Sequence, residues 1–238
     1  MRRREFIAAA SCAACAIGAR PKDLLEPHMH FTPTGTAPQV ALTLDACMGA
    51  TDGRILDILV ANAIPTTIFA TERWLTHNPA TIKTLIAHKN LFQVEDHGAQ
   101  HIPAIIGTER AYGLAPAGTA SAVFSEVMGG AQAVTAAFGV APKWYRDATA
   151  LYTQDAIDLI DTMGLRIGGF SLNGDIGASV TAETAQSRIE AAQSGDVIIS
   201  HINHPERPAG AGVAAGVLAL KARGFQFVRL DDVAMIAG

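Results

Sequence analysis

Residues 40–70 read VALTLDACMGATDGRILDILVANAIPTTIFA, and this stretch decides the fold class. Val40-Ala41-Leu42-Thr43-Leu44 is an apolar run, the pattern of a strand buried on both faces. Between Asp52 and Ala63, Ile55, Leu56, Leu59 and Val60 fall on one stripe at helical spacing. Thr66–Ala70 is apolar again. A strand, a helix and a second strand in so short a span make a βαβ unit, whose two strands run parallel.

The alternation continues to the end of the chain. Helices are expected around Pro79–His88 and over Thr119–Phe138, Thr153–Met163, Ala182–Ala192 and Gly210–Arg223. Strands are expected at Leu91–Val94, Lys143–Arg146, Leu165–Phe170, Asp196–Ser200 and Phe225–Leu230. So many β-then-α units predict a parallel sheet covered by helices, either a barrel or an open doubly wound sheet. No GxGxxG or Walker pattern follows the first strand, which argues against a nucleotide-binding sheet. At 238 residues the chain suits one domain of barrel size. Its net charge of −4, with no Lys/Arg run after the first residues, excludes nucleic acid and anionic membrane surfaces as partners.

The N-terminus reads differently from the rest. A basic head, Arg2-Arg3-Arg4, precedes a short Ala-rich run, and residues 1–19 are expected to be an export signal. Arg3-Arg4-Glu5-Phe6-Ile7 resembles the twin-arginine pattern, which predicts a periplasmic protein. The run is too short for a stable membrane span. Residues 20–38, rich in Pro, Thr and His, read as a linker or an N-terminal arm, and the domain as 39–238. Cys12 and Cys15 fall inside the signal, so Cys47 alone would remain and no disulfide framework arises. Cys47 is expected to be a small buried residue under the first turn, ahead of a nucleophile.

In parallel α/β folds the active groups gather at the C-terminal ends of the strands. That rule selects Asp45, then His97 and His101 in His97-Gly98-Ala99-Gln100-His101, then Arg146, Asp175 and His201. Two imidazoles about one helical turn apart can aim at one divalent ion and leave most of its shell open. With acids and a third histidine around them, the set predicts metal-assisted hydrolysis. Asp45 is placed as general base and His201 as the acid that protonates a leaving amine, with Arg146 and Asp175 orienting them. His204 reads as a loop histidine at the rim, and His28 and His30 as solvated. Trp144, and less so Trp74, is weighed as a sugar-stacking face against a place in the core.

These residues stand in the order of a known family, and the chain from about Gln39 onward resembles the polysaccharide deacetylases (NodB homology, carbohydrate esterase family 4). Thr43-Leu44-Asp45-Ala46-Cys47 stands where that family has Thr-Phe-Asp-Asp-Gly. His97–His101 stands for His-Ser/Thr-x-x-His, and Tyr145-Arg146-Asp147-Ala148 for Phe-Arg-Pro-Pro. Asn173-Gly174-Asp175-Ile176 stands for the Asp-containing loop, Ile198-Ile199-Ser200-His201 for Leu-x-His, and Gly224–Leu230 for the closing strand. The resemblance implies a distorted (β/α) barrel of about seven parallel strands that removes N-acetyl groups from a glycan, peptidoglycan or chitooligosaccharide in type.

It also implies roles. Asp45 maps to the general base, His97 and His101 to ligands of a divalent metal, commonly zinc, and His201 to the general acid. Arg146 maps to the residue that positions the base, and Asp175 to the one that tunes His201. Ala46 stands at the family's metal-binding aspartate, so the third ligand is expected to be Asp45 or Asp52, with Asp96 also near in sequence. Asp147 and Ala148 replace the prolines of a loop that offers the oxyanion a backbone N–H. Two further readings stand beside the deacetylase: a non-catalytic glycan-binding relic of the fold, and an amidase of a small C–N substrate.

Overall fold

The computed structural model describes residues 24–237, so the expected export signal and Cys12 and Cys15 lie outside the described residues. Its elements in chain order are β1 (Met29–Phe31), β2 (Gln39–Ala46), α1 (Gly53–Ala61), β3 (Thr66–Ala70), α2 (Glu72–His77), α3 (Pro79–Ala87), β4 (Phe92–Asp96), α4 (Ala120–Phe138) and β5 (Trp144–Tyr145). There follow α5 (Gln154–Thr162), β6 (Arg166–Ile167), β7 (Leu172–Asn173), α6 (Ala182–Glu190), β8 (Val197–His201), α7 (Ala209–Ala222), β9 (Gln226–Val228) and β10 (Met235–Ala237). The main sheet runs β6-β5-β4-β3-β2-β8-β7, seven strands paired in parallel. β9 pairs in parallel with the first residues of β2, Gln39–Ala41.

Side-chain alternation along β2 divides the interior. Val40, Leu42, Leu44 and Ala46 lie in a helix-side cluster with Ile55, Leu59, Ile189 and Val217. Ala41 points the other way, into a second cluster with Phe69, Trp144, Phe170, Val197 and Ile199. That inner cluster fills the concave side of the sheet, as side chains fill a barrel. The two sheet edges, β6 and β7, are joined by a short link, and the arm before β2 runs along this seam. Leu25 bridges Tyr152, His28 bridges Phe170 and His30 bridges Asp196, while Met29 and Phe31 are buried in the inner cluster. β1 pairs antiparallel with β10, so the arm and the C-terminus hold each other across the inner face.

Local chemistry sets the helix ends. Asp52 caps α1 by accepting from Arg54 N, Thr71 caps α2 through Trp74 N, and Thr119 caps α4 through Ala122 N. α4 stops at Gly139, whose φ of 73° a residue with a Cβ adopts only under strain. The strand expected at Leu165–Phe170 is shorter than its sequence suggests. Gly168 and Gly169 turn out of the sheet, and their carbonyls accept from the Arg146 guanidinium.

α6 and α7 pack closely because α7 carries glycines. A Cβ on Gly212 would sit 1.9 Å from the Ala182 carbonyl oxygen, and backbone cannot move aside cheaply. Gly212→Val is expected to destabilise the domain by about 1–3 kcal/mol, read as a fall in Tm of several degrees. An unchanged Tm would show that the helix pair has slack.

Candidate active site

β2 delivers Thr43 and Asp45 to the inner side, and the chain beyond the strand keeps the same alternation to place Cys47 there too. β3, β4, β5 and β8 lie beside it in parallel, so the residues that end those strands open on the same rim. His97 directly follows β4, Arg146 directly follows β5, and His201 ends β8 in register with Asp45. A cleft of about 300 Å³ includes Asp45, Cys47, His101 and His201 in its wall.

Arg146 is fully buried and organises the acid side. Its guanidinium donates to Asp45 Oδ1 at 2.8 Å, Thr43 Oγ1 at 2.8 Å, Gly168 O at 2.8 Å and Gly169 O at 3.0 Å. It also lies 4.1 Å from the centre of the Phe69 ring. This leaves Asp45 Oδ2 facing His97 Nε2 at 3.9 Å. Lysine cannot reproduce such a fork of donors.

His97 donates Nδ1–H to the Arg146 carbonyl at 2.7 Å, which turns Nε2 toward Cys47 and Asp45. That nitrogen is 3.4 Å from Cys47 Sγ. The His101 ring stands edge-on to His97 with centroids 5.0 Å apart, and its buried Nε2 has no hydrogen-bond partner. One donor atom each from Cys47, His97 and His101 lie within 4.8 Å of one another. A thiol and two imidazoles, one of them with an orphaned buried nitrogen, form a donor set that fits a divalent metal ion. Asp52 is not brought to this group. Its buried carboxylate is held by Arg54 at 2.8 and 2.5 Å and caps α1.

The fourth corner is His201. Asp175 grips it twice, accepting from the backbone N–H at 2.7 Å and from Nδ1–H at 2.9 Å, which turns Nε2 toward the cleft. Burial disfavours the charged ring, but the charge and hydrogen bond of Asp175 outweigh it and hold the His201 pKa well above its usual value. For His97 burial also opposes the charge, and the neighbouring Asp45 and Cys47 raise its pKa to about 9. Burial works against a Cys47 thiolate, yet His101 and His97 beside it bring that pKa well below the usual thiol value.

The sequence profile of the polysaccharide deacetylases matches residues 32–168, more than half of the chain. The chain belongs to the polysaccharide deacetylase family. No curated protein matches it. Among solved structures it is similar to the peptidoglycan deacetylase PdaC from Bacillus subtilis, with a TM-score of 0.67 at 18% identity over 82% of this chain and 89% of that one. It is similar to a family 4 carbohydrate esterase from Streptomyces lividans, with a TM-score of 0.64 at 18% identity over 80% and 91%. A CE4 family pseudoenzyme from Bacillus anthracis is as close in fold, with a TM-score of 0.67 at 14% identity over 83% of this chain and 65% of that one. The half-barrel of seven parallel strands is thus the family's fold, and its members include active enzymes and a pseudoenzyme.

Within this deacetylase fold several residues do something the sequence did not announce. Trp74 is fully buried in the helix-side core. Trp144 lies in the inner core, covered by Arg166 at 3.7 Å and bonded to Asp231, so neither indole offers a sugar a face. Asp147, at the first proline of the family's Arg motif, tightens its loop. Its carboxylate takes Ala104 N–H and both donors of Thr149, while its own N–H goes to Tyr152 Oη. Burial raises its pKa above the usual carboxylate range.

Glu126 of α4 supports the site from a distant segment. Its buried carboxylate accepts from Gln100 N at 2.8 Å and Ile102 N at 3.1 Å, on both sides of His101. His101 itself sits at φ 65°, and Gly98 packs so close that a Cβ would fall 2.4 Å from Glu126 Oε1. The available signal was an acid between Val123 and Val127 on a helix face that is otherwise apolar. Glu126→Ala strands those N–H groups, at about 1–3 kcal/mol each when buried. It is expected to weaken metal binding by about 10–100-fold, measured by chelator competition.

Proposed function

We propose that this family member is an exported, metal-dependent N-deacetylase of an N-acetylated glycan, with zinc as its ion. The observation that carries this is the pairing of two oriented groups, Arg146–Asp45 and Asp175–His201, around the Cys47, His97 and His101 donors in one cleft. A divalent ion held by His97 and His101 would polarise the amide carbonyl and lower the pKa of a water molecule.

The remaining work falls to the chain. Arg146 occupies Asp45 Oδ1, so Oδ2 is the oxygen that takes a proton from the attacking water. Asp175 fixes the His201 ring with Nδ1–H bound, so Nε2–H is the proton delivered to the leaving nitrogen. Around them Leu114, Phe170, Ile176 and Ile199 give an apolar wall that suits an acetyl methyl. Export is supported by Arg3-Arg4-Glu5-Phe6-Ile7 and the short Ala-rich run after it, and a periplasmic place suits a glycan of the cell wall.

A second reading, a glycan-binding relic, draws on Ala46. Its methyl lies in the helix-side core and offers no donor atom in place of the family's carboxylate. Acetate release from N-acetylglucosamine oligomers and from peptidoglycan, with small N-acetyl amides alongside, separates the readings. Release from the glycans supports the proposal, release only from small amides makes the protein an amidase, and binding without release makes it a relic.

A further inference from the structure

We propose that Cys47 Sγ is the third protein ligand of the metal centre, so that a thiolate replaces the family's carboxylate. This rests on the metal-binding half of the function proposed above.

Ligand distances support it. Around a tetrahedral ion, with bonds of about 2.3 Å to sulfur and 2.0–2.1 Å to imidazole nitrogen, S and N sit about 3.6 Å apart. Cys47 Sγ and His97 Nε2 are 3.4 Å apart. A carboxylate oxygen sharing an ion with His97 would lie about 3.4 Å from its nitrogen by the same geometry. Asp45 Oδ2 is at 3.9 Å, and its other oxygen is bound to Arg146. Asp45 therefore sits just outside the shell, within reach of a water on the ion, which is where a base belongs. His101 supplies the third corner: one of its ring nitrogens lies within 4.8 Å of the other two donors, and its buried Nε2 has no hydrogen-bond partner.

The nearby acids are held away from this group. Asp52 is bound to Arg54, and Asp96 Oδ1 accepts the Gly98 N–H and packs against Gly130 of α4, on the helix side of the sheet. Ala46 packs in the helix-side core and carries no donor atom, whereas Cys47 lines the cleft with Asp45 and lies against His97. On binding, the Cys47 S–H bond breaks, the proton leaves to solvent and the sulfur donates to the ion. A site of one thiolate and two imidazoles selects zinc or cobalt(II) over magnesium, calcium and manganese.

The test is a cobalt(II) titration of metal-stripped, full-length protein. It is expected to bind one cobalt per chain and to show a near-ultraviolet thiolate-to-cobalt charge-transfer band. Cys47→Ser should lose the band and at least about 100-fold in cobalt affinity, while far-ultraviolet circular dichroism stays native. Cys47→Asp should regain affinity without the band. Failure to bind cobalt, binding without the band in the unmutated protein, or a band that survives in Cys47→Ser overturns the proposal. A protein with the band but no deacetylase activity would refute the hydrolytic function and leave this ligand in place. An active enzyme without the band would do the reverse.

Discussion

Asp45→Asn is expected to lower kcat for deacetylation by about 10²–10⁴-fold while the protein still takes up its metal. The amide oxygen can still accept from Arg146 and can occupy the same space. It has no basicity, so the proton of the attacking water has no acceptor at the place where Oδ2 stands. Arg146 would lose the Asp45 carboxylate as its ion-pair partner, and a buried guanidinium without its counter-charge costs about 3–5 kcal/mol. The assay is therefore run well below the variant's Tm, with kcat referred to folded protein. If kcat stayed within a few-fold of the unmutated value, Asp45 would not be the base.

His97→Ala is the second large effect. It removes a metal donor and also the N–H that satisfies the Arg146 carbonyl, so metal affinity and the shape of the Arg146 loop fail together. Metal content after dialysis is expected to fall below stoichiometric, and kcat/KM by more than about 100-fold. The bare carbonyl adds about 1–3 kcal/mol of destabilisation. Full metal content with full activity would remove His97 from the centre. Reduced activity at full metal content would make it a positioning residue instead.

The alternation of apolar runs and helical stripes was enough for the parallel sheet, because each βαβ unit is a local pattern. The C-terminal rule then gathered Asp45, His97, His101, Arg146, Asp175 and His201, which depends only on strand direction. What stayed hidden depends on contacts between distant segments. Asp52 looked available because its partner, Arg54, is a surface residue type whose side chain folds back over the helix start. α2 is one short helix of six residues, Glu72–His77, and carries too little periodicity to show. Gly168 and Gly169 read as part of a strand until Arg146 is seen to claim their carbonyls. In sequence Cys47 reads as a packing residue or a nucleophile because its neighbours are Ala46 and Met48, and the histidines that surround it arrive from other strands.

One measurement reaches the metal-dependent hydrolytic centre of this cleft directly. Acetate release from an N-acetylglucosamine oligomer is followed for chelator-stripped protein, then after one equivalent of zinc is added back. The predicted result is no release without metal and restored release with it. Zinc bound at one equivalent with no acetate released would contradict the account.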